Sequence, residues 1–125
     1  MGGVRTVLLA DANLMRDYVR AVVEAQGVAI VSAADGEEAL RVARERRPDA
    51  VVLDVRLLGL DGLSALLRLK GDEATRSIPV MVLSDKPSDD ARRIAKAYGA
   101  DAFLERPFRV GDLASLLSRL LEAAA

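Results

Sequence analysis

Three features of the 125-residue sequence predict an α/β fold, a doubly wound parallel sheet of five strands in the order 2-1-3-4-5. Short β-rich runs alternate with longer segments of helical spacing. Three of the runs, "VLLA", "AVVLD" and "VMVLS", are apolar without alternation, as strands covered on both faces are. Turn and cap residues stand at the junctions, so parallel neighbours are joined by helical crossovers of the usual right hand.

In chain order, the first strand is expected over Thr6–Ala10, and a helix follows in which Leu14, Tyr18 and Val22 recur every four residues. The second strand is expected over Ala29–Ser32. Asp35-Gly36 opens the next helix, with Glu37 and Glu38 in a first turn whose dipole favours acids. Ala39, Leu40 and Ala43 line one of its faces, and Pro48-Asp49 stops it. The third strand is Ala50–Asp54. Gly59 and Asp61-Gly62 precede a helix with Leu63, Leu66 and Leu67 on one face. The fourth strand is Ile78–Ser84. Pro87 and Ser88 introduce a helix with Ile94, Ala95 and Tyr98 on one face, which Gly99 ends as the C′ residue. The fifth strand is Ala102–Leu104, with Pro107 just beyond. The last helix carries Leu113, Leu116, Leu117, Leu120 and Leu121. Each stripe reads as core packing.

The length fits one domain over residues 1–125, with no linker, low-complexity tract or repeat. With 51% hydrophobic and 30% charged residues the profile is globular. The net charge of −1 suggests neither a nucleic-acid nor a membrane surface. No apolar run approaches the ~18 residues of a membrane span, and no signal-peptide pattern is expected at the N-terminus. Cysteine and histidine are both missing. That removes disulfides, a thiol nucleophile, Cys/His zinc sites and imidazole acid–base chemistry. The lack of cysteine is compatible with the cytoplasm, where the protein is expected to reside.

In doubly wound sheets the functional site lies at the carboxyl ends of the strands. The first strand ends at Asp11, the third at Asp54 followed by Val55-Arg56, the fourth at Ser84-Asp85-Lys86 and the fifth at Glu105-Arg106-Pro107. In the expected order Asp11, Asp54 and Ser84 converge. Two facing carboxylates repel unless a cation sits between them or one takes a proton. Mg²⁺ suits such a pair, because it binds one or two carboxylates, keeps waters and accepts phosphate oxygens. A serine hydroxyl and an arginine can donate to a phosphoryl group, and an Asp carboxylate can accept one covalently. Taken singly, Asp54 also reads as a loop cap and Asp11 as part of a helix turn. Neither G-x-G-x-x-G nor G-x-x-x-x-G-K-[ST] is present, which disfavours a nucleotide fold.

Over nearly its whole length the sequence resembles the receiver domain of bacterial two-component response regulators. The residues that carry the resemblance are "ADGEEAL", "PDAVVLDVRLLGLDGLSAL", "PVMVLSDKPSDD" and "GADAFLERPF". The resemblance implies a flavodoxin-like (βα)5 domain in signal transduction by phosphorelay. A sensor histidine kinase or phosphotransfer protein would pass a phosphoryl group to Asp54 with Mg²⁺. The metal would be held by Asp11, Asp54 and the backbone carbonyl of Arg56. Ser84 and Arg106 would contact the phosphate, and Phe103 would be the switch aromatic. The face of helix four, strand five and helix five would then change downstream protein or effector-domain partners. The resemblance implies a phosphoacceptor and not an enzyme, catalysing at most its own phosphorylation and dephosphorylation. No direct nucleic-acid or membrane contact is expected. Homodimerisation through the leucine-rich last helix and its neighbours is an open expectation.

Several positions depart from the family pattern. The family ends its first strand with two adjacent acids. A gapless register puts Asp11 at the second, the direct metal ligand, and Ala10 at the first. A one-residue gap would instead make Ala12 the missing ligand. Arg106 stands where the family has lysine, keeping the charge on a wider, planar group that could pair with Asp54 directly. Asp85 stands where the family has a small residue and would repel an incoming phosphoryl dianion. Leu58 replaces a loop proline. Asp85 is expected to pair with Arg56 or Arg106. These departures leave two readings open: a working phosphoacceptor with a weakened site, and a pseudo-receiver that kept the fold and signals without phosphate. A small hydrolase is disfavoured, for want of a general base other than a carboxylate.

Overall fold

The computed structural model describes residues 4–11, 16–56, 61–84 and 89–123. Five strands alternate with five helices there: β1 Thr6–Ala10, α1 Arg16–Glu24, β2 Ala29–Ala33, α2 Gly36–Arg46, β3 Ala50–Asp54, α3 Gly62–Gly71, β4 Val80–Ser84, α4 Asp89–Ala97, β5 Ala102–Glu105 and α5 Val110–Ala123. The strands form one parallel sheet in the order β2-β1-β3-β4-β5.

The continuous apolar runs follow from burial on both faces. Leu8, Ala10, Val51, Leu53, Val80 and Val82 turn to one side, in a core with residues of α2, α3 and α4 such as Ala39, Leu66 and Ala95. Val7, Leu9, Val52, Met81 and Leu83 turn to the other, against Val19 and Val23 of α1 and Leu113 and Leu117 of α5. Truncating a fully buried leucine here would cost about 2–5 kcal/mol, because a rigid strand cannot collapse into the cavity.

The caps work as their sequences suggest. Asp35 accepts a hydrogen bond from the Glu38 N–H at the start of α2, and Asp61 from the Ser64 N–H at the start of α3. Gly99 has φ +99° and closes α4: its N–H donates to Lys96 O and the Ala100 N–H to Ala95 O. Helix α2 ends at Arg46, two residues before Pro48, with the cap Arg47 in the left-handed region and its N–H on Ala43 O.

Three details differ from the sequence expectation. Strand β4 begins at Val80 and not at Ile78, because the Ile78 N–H is taken by Thr75 O in the preceding turn. The α1 stripe is carried by Val19, Val22 and Val23, while Tyr18 is 37% exposed and Leu14 lies outside the described residues. In α3 the buried residues are Ala65, Leu66 and Leu69, whereas Leu67 is 50% exposed. A strict four-residue step drifts off a helix face of period 3.6, which explains the α1 shift. Among the described residues no helix is long and apolar enough to cross a membrane.

Candidate functional site: a paired-carboxylate pocket at the strand ends

Parallel register delivers the strand-end residues to one place. Ala10 of β1 pairs with Leu53 of β3, so the next step along each chain sets Asp11 beside Asp54. Asp54 pairs in turn with Leu83 of β4, which brings Ser84 one step beyond it. Ser84 pairs with Glu105 of β5, and the Arg106 N–H donates to Ser84 O at 2.7 Å. Asp11, Asp54 and Ser84 are all buried. Ala10 turns into the core with Leu8 and Leu53, on the opposite side of β1 from Val7 and Leu9.

Val55, Arg56 and Gly62 are held close around Asp54. The Arg56 N–H donates to Asp54 Oδ1 at 2.8 Å, and the Gly62 N–H to Val55 O at 3.0 Å. Gly62 has no room for a side chain, since a Cβ there would lie 2.1 Å from the Asp54 carbonyl oxygen. The start of α3 therefore rests on the backbone that carries the acid.

Arg106 is not a rim residue. Its side chain is only 12% exposed, against 0% for the two acids it reaches. Nη2 lies 3.3 Å from Asp11 Oδ2 and Nη1 3.5 Å from Asp54 Oδ2. The guanidinium also lies over the Phe108 ring, 5.7 Å from its centre, and Phe108 packs against Tyr18 with ring centres 6.4 Å apart. Arg56 is exposed and engages Asp54 through its backbone. Glu105 does not join the acid pair. It forms an ion pair with Arg92 of α4, whose guanidinium also sits 5.1 Å from the centre of the Phe103 ring. Phe103 is half-buried on β5, opposite Val82.

The Asp54 carboxyl titrates at about 6, up from an ordinary 3.8. Burial is the main cause, and a hydrogen bond with Asp11 and the charge of Asp11 add to it. The Arg56 N–H and the Arg106 charge pull the other way. The balance favours the neutral form of Asp54 more than in a free carboxyl.

The donor set suits a divalent cation. Asp54 Oδ2 is buried and accepts no hydrogen bond among the described residues, although Arg106 is in ion-pair range. That leaves an acceptor turned toward a second carboxylate. Among the described residues no group of three or more acidic side chains gathers, so a metal would depend on two carboxylates, a backbone carbonyl and water. Mg²⁺ accepts that composition, and the residues fit it.

Sequence reasoning assigned no site role to Gly62, Tyr18, Arg92 or Phe108. Asp61-Gly62 was visible only as a helix start and Tyr18 only as part of a helix stripe, and Phe108 only inside the string "GADAFLERPF". Asp85, its expected pairing with Arg56 or Arg106, and the Ala12 and Leu58 positions lie outside the described residues.

The fold and its strand ends define a doubly wound α/β domain with a paired-carboxylate pocket. The chain belongs to the response regulator receiver domains, whose family model matches residues 7–118. The transcriptional regulatory protein PrrA of Mycobacterium tuberculosis is 41% identical over 111 residues, which is 89% of this chain and 46% of PrrA. The chain thus spans about half the length of the curated relatives it matches. Among solved structures, the receiver domain of sensor histidine kinase PA1611 from Pseudomonas aeruginosa superposes with a TM-score of 0.87 at 28% identity, covering 96% of this chain and 99% of that one. It carries a magnesium ion coordinated in its active-site cleft. The receiver domain of NtrX from Brucella abortus gives a TM-score of 0.84 at 31% identity, over 93% and 98% of the two chains.

Proposed function

We propose that the chain accepts a phosphoryl group on Asp54 from the phosphohistidine of a sensor kinase or phosphotransfer protein. The observation that carries this reading is the buried Asp54 carboxylate, set rigidly at the end of β3 beside Asp11 with Oδ2 accepting no hydrogen bond among the described residues. A carboxylate oxygen of Asp54 attacks phosphorus, the P–N bond to the donor imidazole breaks, and the bonding pair leaves with that nitrogen, which then takes a proton. Mg²⁺, bound by Asp11, Asp54 and the Arg56 carbonyl, would neutralise charge on the phosphoryl oxygens. The Arg56 N–H holds one Asp54 oxygen and so orients the other for attack. The Ser84 hydroxyl donates to the new phosphoryl group from the neighbouring strand end, and Arg106 offers it a cation.

The same reading gives the output. Movement of Ser84 toward the phosphate vacates space beside β5, Phe103 follows, and the α4-β5-α5 surface changes its protein partner. The protein works in the cytoplasm and catalyses nothing except its own phosphorylation and dephosphorylation. It meets nucleic acid only through whatever effector it controls.

One observation favours a second reading. Arg106 bridges both acids and already balances part of their charge, as a pseudo-receiver that signals without phosphate would require. Incubation with acetyl phosphate and Mg²⁺ followed by intact-mass measurement separates the two. A phosphoryl adduct on the wild type and none on Asp54→Asn supports the phosphoacceptor. No adduct on either protein supports the pseudo-receiver.

A further inference from the structure

We propose that Arg106 is a built-in counter-cation of the acidic pair, whose guanidinium must be displaced from Asp11 and Asp54 before a divalent cation can bind. Arg106 would thereby set the affinity of the pocket for metal. The inference rests on the pocket being a cation site, as the proposed function has it.

The geometry gives each acid its own nitrogen. Nη2 faces Asp11 Oδ2 and Nη1 faces Asp54 Oδ2, so one planar fork serves two carboxylates. An ammonium is a point charge and cannot hold two acceptors in that fixed spread. The carboxylates it faces are the two that a divalent cation in this pocket would use. Burial also limits screening: 12% exposure leaves little solvent between the fork and the acids.

The arm is held from two further directions. The backbone of Arg106 is fixed to Ser84 O, and the Phe108 ring lies against the guanidinium. Phe108 is itself packed by Tyr18. Charge bookkeeping then decides the exchange. Among the described residues, the two carboxylates carry −2 and Arg106 leaves −1 for any newcomer. A divalent ion entering beside the fork meets a like charge, so it must push Arg106 off the Phe108 face.

The test is the binding of Mn²⁺ to the metal-free protein, read from the loss of the free-ion EPR signal, with thermal unfolding in EDTA alongside. Arg106→Lys and Phe108→Ala are each expected to bind Mn²⁺ about tenfold more tightly than wild type, the scale on which groups touching metal ligands change affinity. Arg106→Met should bind more tightly still, and its melting temperature in EDTA should fall and recover with Mn²⁺. Unchanged or weaker Mn²⁺ binding in both Arg106→Lys and Phe108→Ala overturns the proposal, as does a failure of all these proteins to bind the ion. Phosphoryl labelling is scored separately. Tighter Mn²⁺ binding in the variants with no Asp54 adduct on any of them would uphold the counter-cation and overturn the phosphoacceptor.

Discussion

Replacing Asp54 with asparagine should stabilise the metal-free protein at neutral pH and leave it unstabilised in mild acid. The reason is the titration of Asp54 at about 6, raised from 3.8 by burial and by Asp11. A carboxyl with a raised folded-state value contributes stability that is present below its unfolded value and lost as the pH rises through the folded one. Ionisation of Asp54 therefore removes stability between about pH 4 and pH 6. A difference of about two units at about 1.4 kcal/mol each sets an upper limit of about 3 kcal/mol. Asparagine keeps an acceptor for the Arg56 N–H but deprives Arg106 of one partner, so the net gain at pH 7.5 should be about 1–3 kcal/mol. For a domain of this size that is about 3–5 °C in melting temperature per kcal/mol. Urea unfolding in EDTA at pH 4 and pH 7.5 measures it. Asp72, held down by the Ala74 N–H and by Arg44, loses its contribution only as the pH falls below the ordinary carboxylate range, so its window does not overlap. The reasoning is refuted if Asp54→Asn changes stability by the same amount at both pH values.

Two further substitutions probe the supports of the site. Gly62→Ala should cost about 2–3 kcal/mol, since the new Cβ meets only backbone, at 2.1 Å from Asp54 O and 2.7 Å from Val55 Cα. A cost within 0.5 kcal/mol or so by urea unfolding, the range of neutral surface changes, would show that α3 can shift freely from the Asp54 backbone. Arg92→Ala removes an exposed ion pair to Glu105 and the contact with Phe103, and should cost less than about 1 kcal/mol. It should nevertheless raise the ring-flip rate of Phe103 in NMR spectra, and an unchanged rate would show that Arg92 does not restrain the ring.

Most of the fold was legible because its signals are local. Three apolar runs marked strands covered on both faces, and Asp35, Asp61 and Gly99 marked helix ends by chemistry that holds in isolation. The strand-end acids were legible for the same reason: once the order 2-1-3-4-5 is fixed, parallel register alone sets Asp11 beside Asp54. What escaped depends on contacts between distant segments. Nothing in the local sequence shows Phe108 lying on Arg106 with Tyr18 of α1 behind it. The close approach of Gly62 to Asp54 O, and the burial of the Arg106 side chain, are likewise tertiary. The start of β4 was misjudged because the apolar Ile78 spends its N–H on a turn, which hydropathy does not register.

The most direct test of the account is to locate the phosphoryl group. After reaction with acetyl phosphate and Mg²⁺, hydroxylamine cleaves an acyl phosphate and leaves a hydroxamate on the carboxylate, while a serine ester survives. Peptide mass mapping should place the hydroxamate at Asp54 and find Ser84 unmodified. A hydroxylamine-stable phosphate on Ser84, or a hydroxamate at Asp11 with Asp54 untouched, would contradict the assignment of Asp54 as the acceptor.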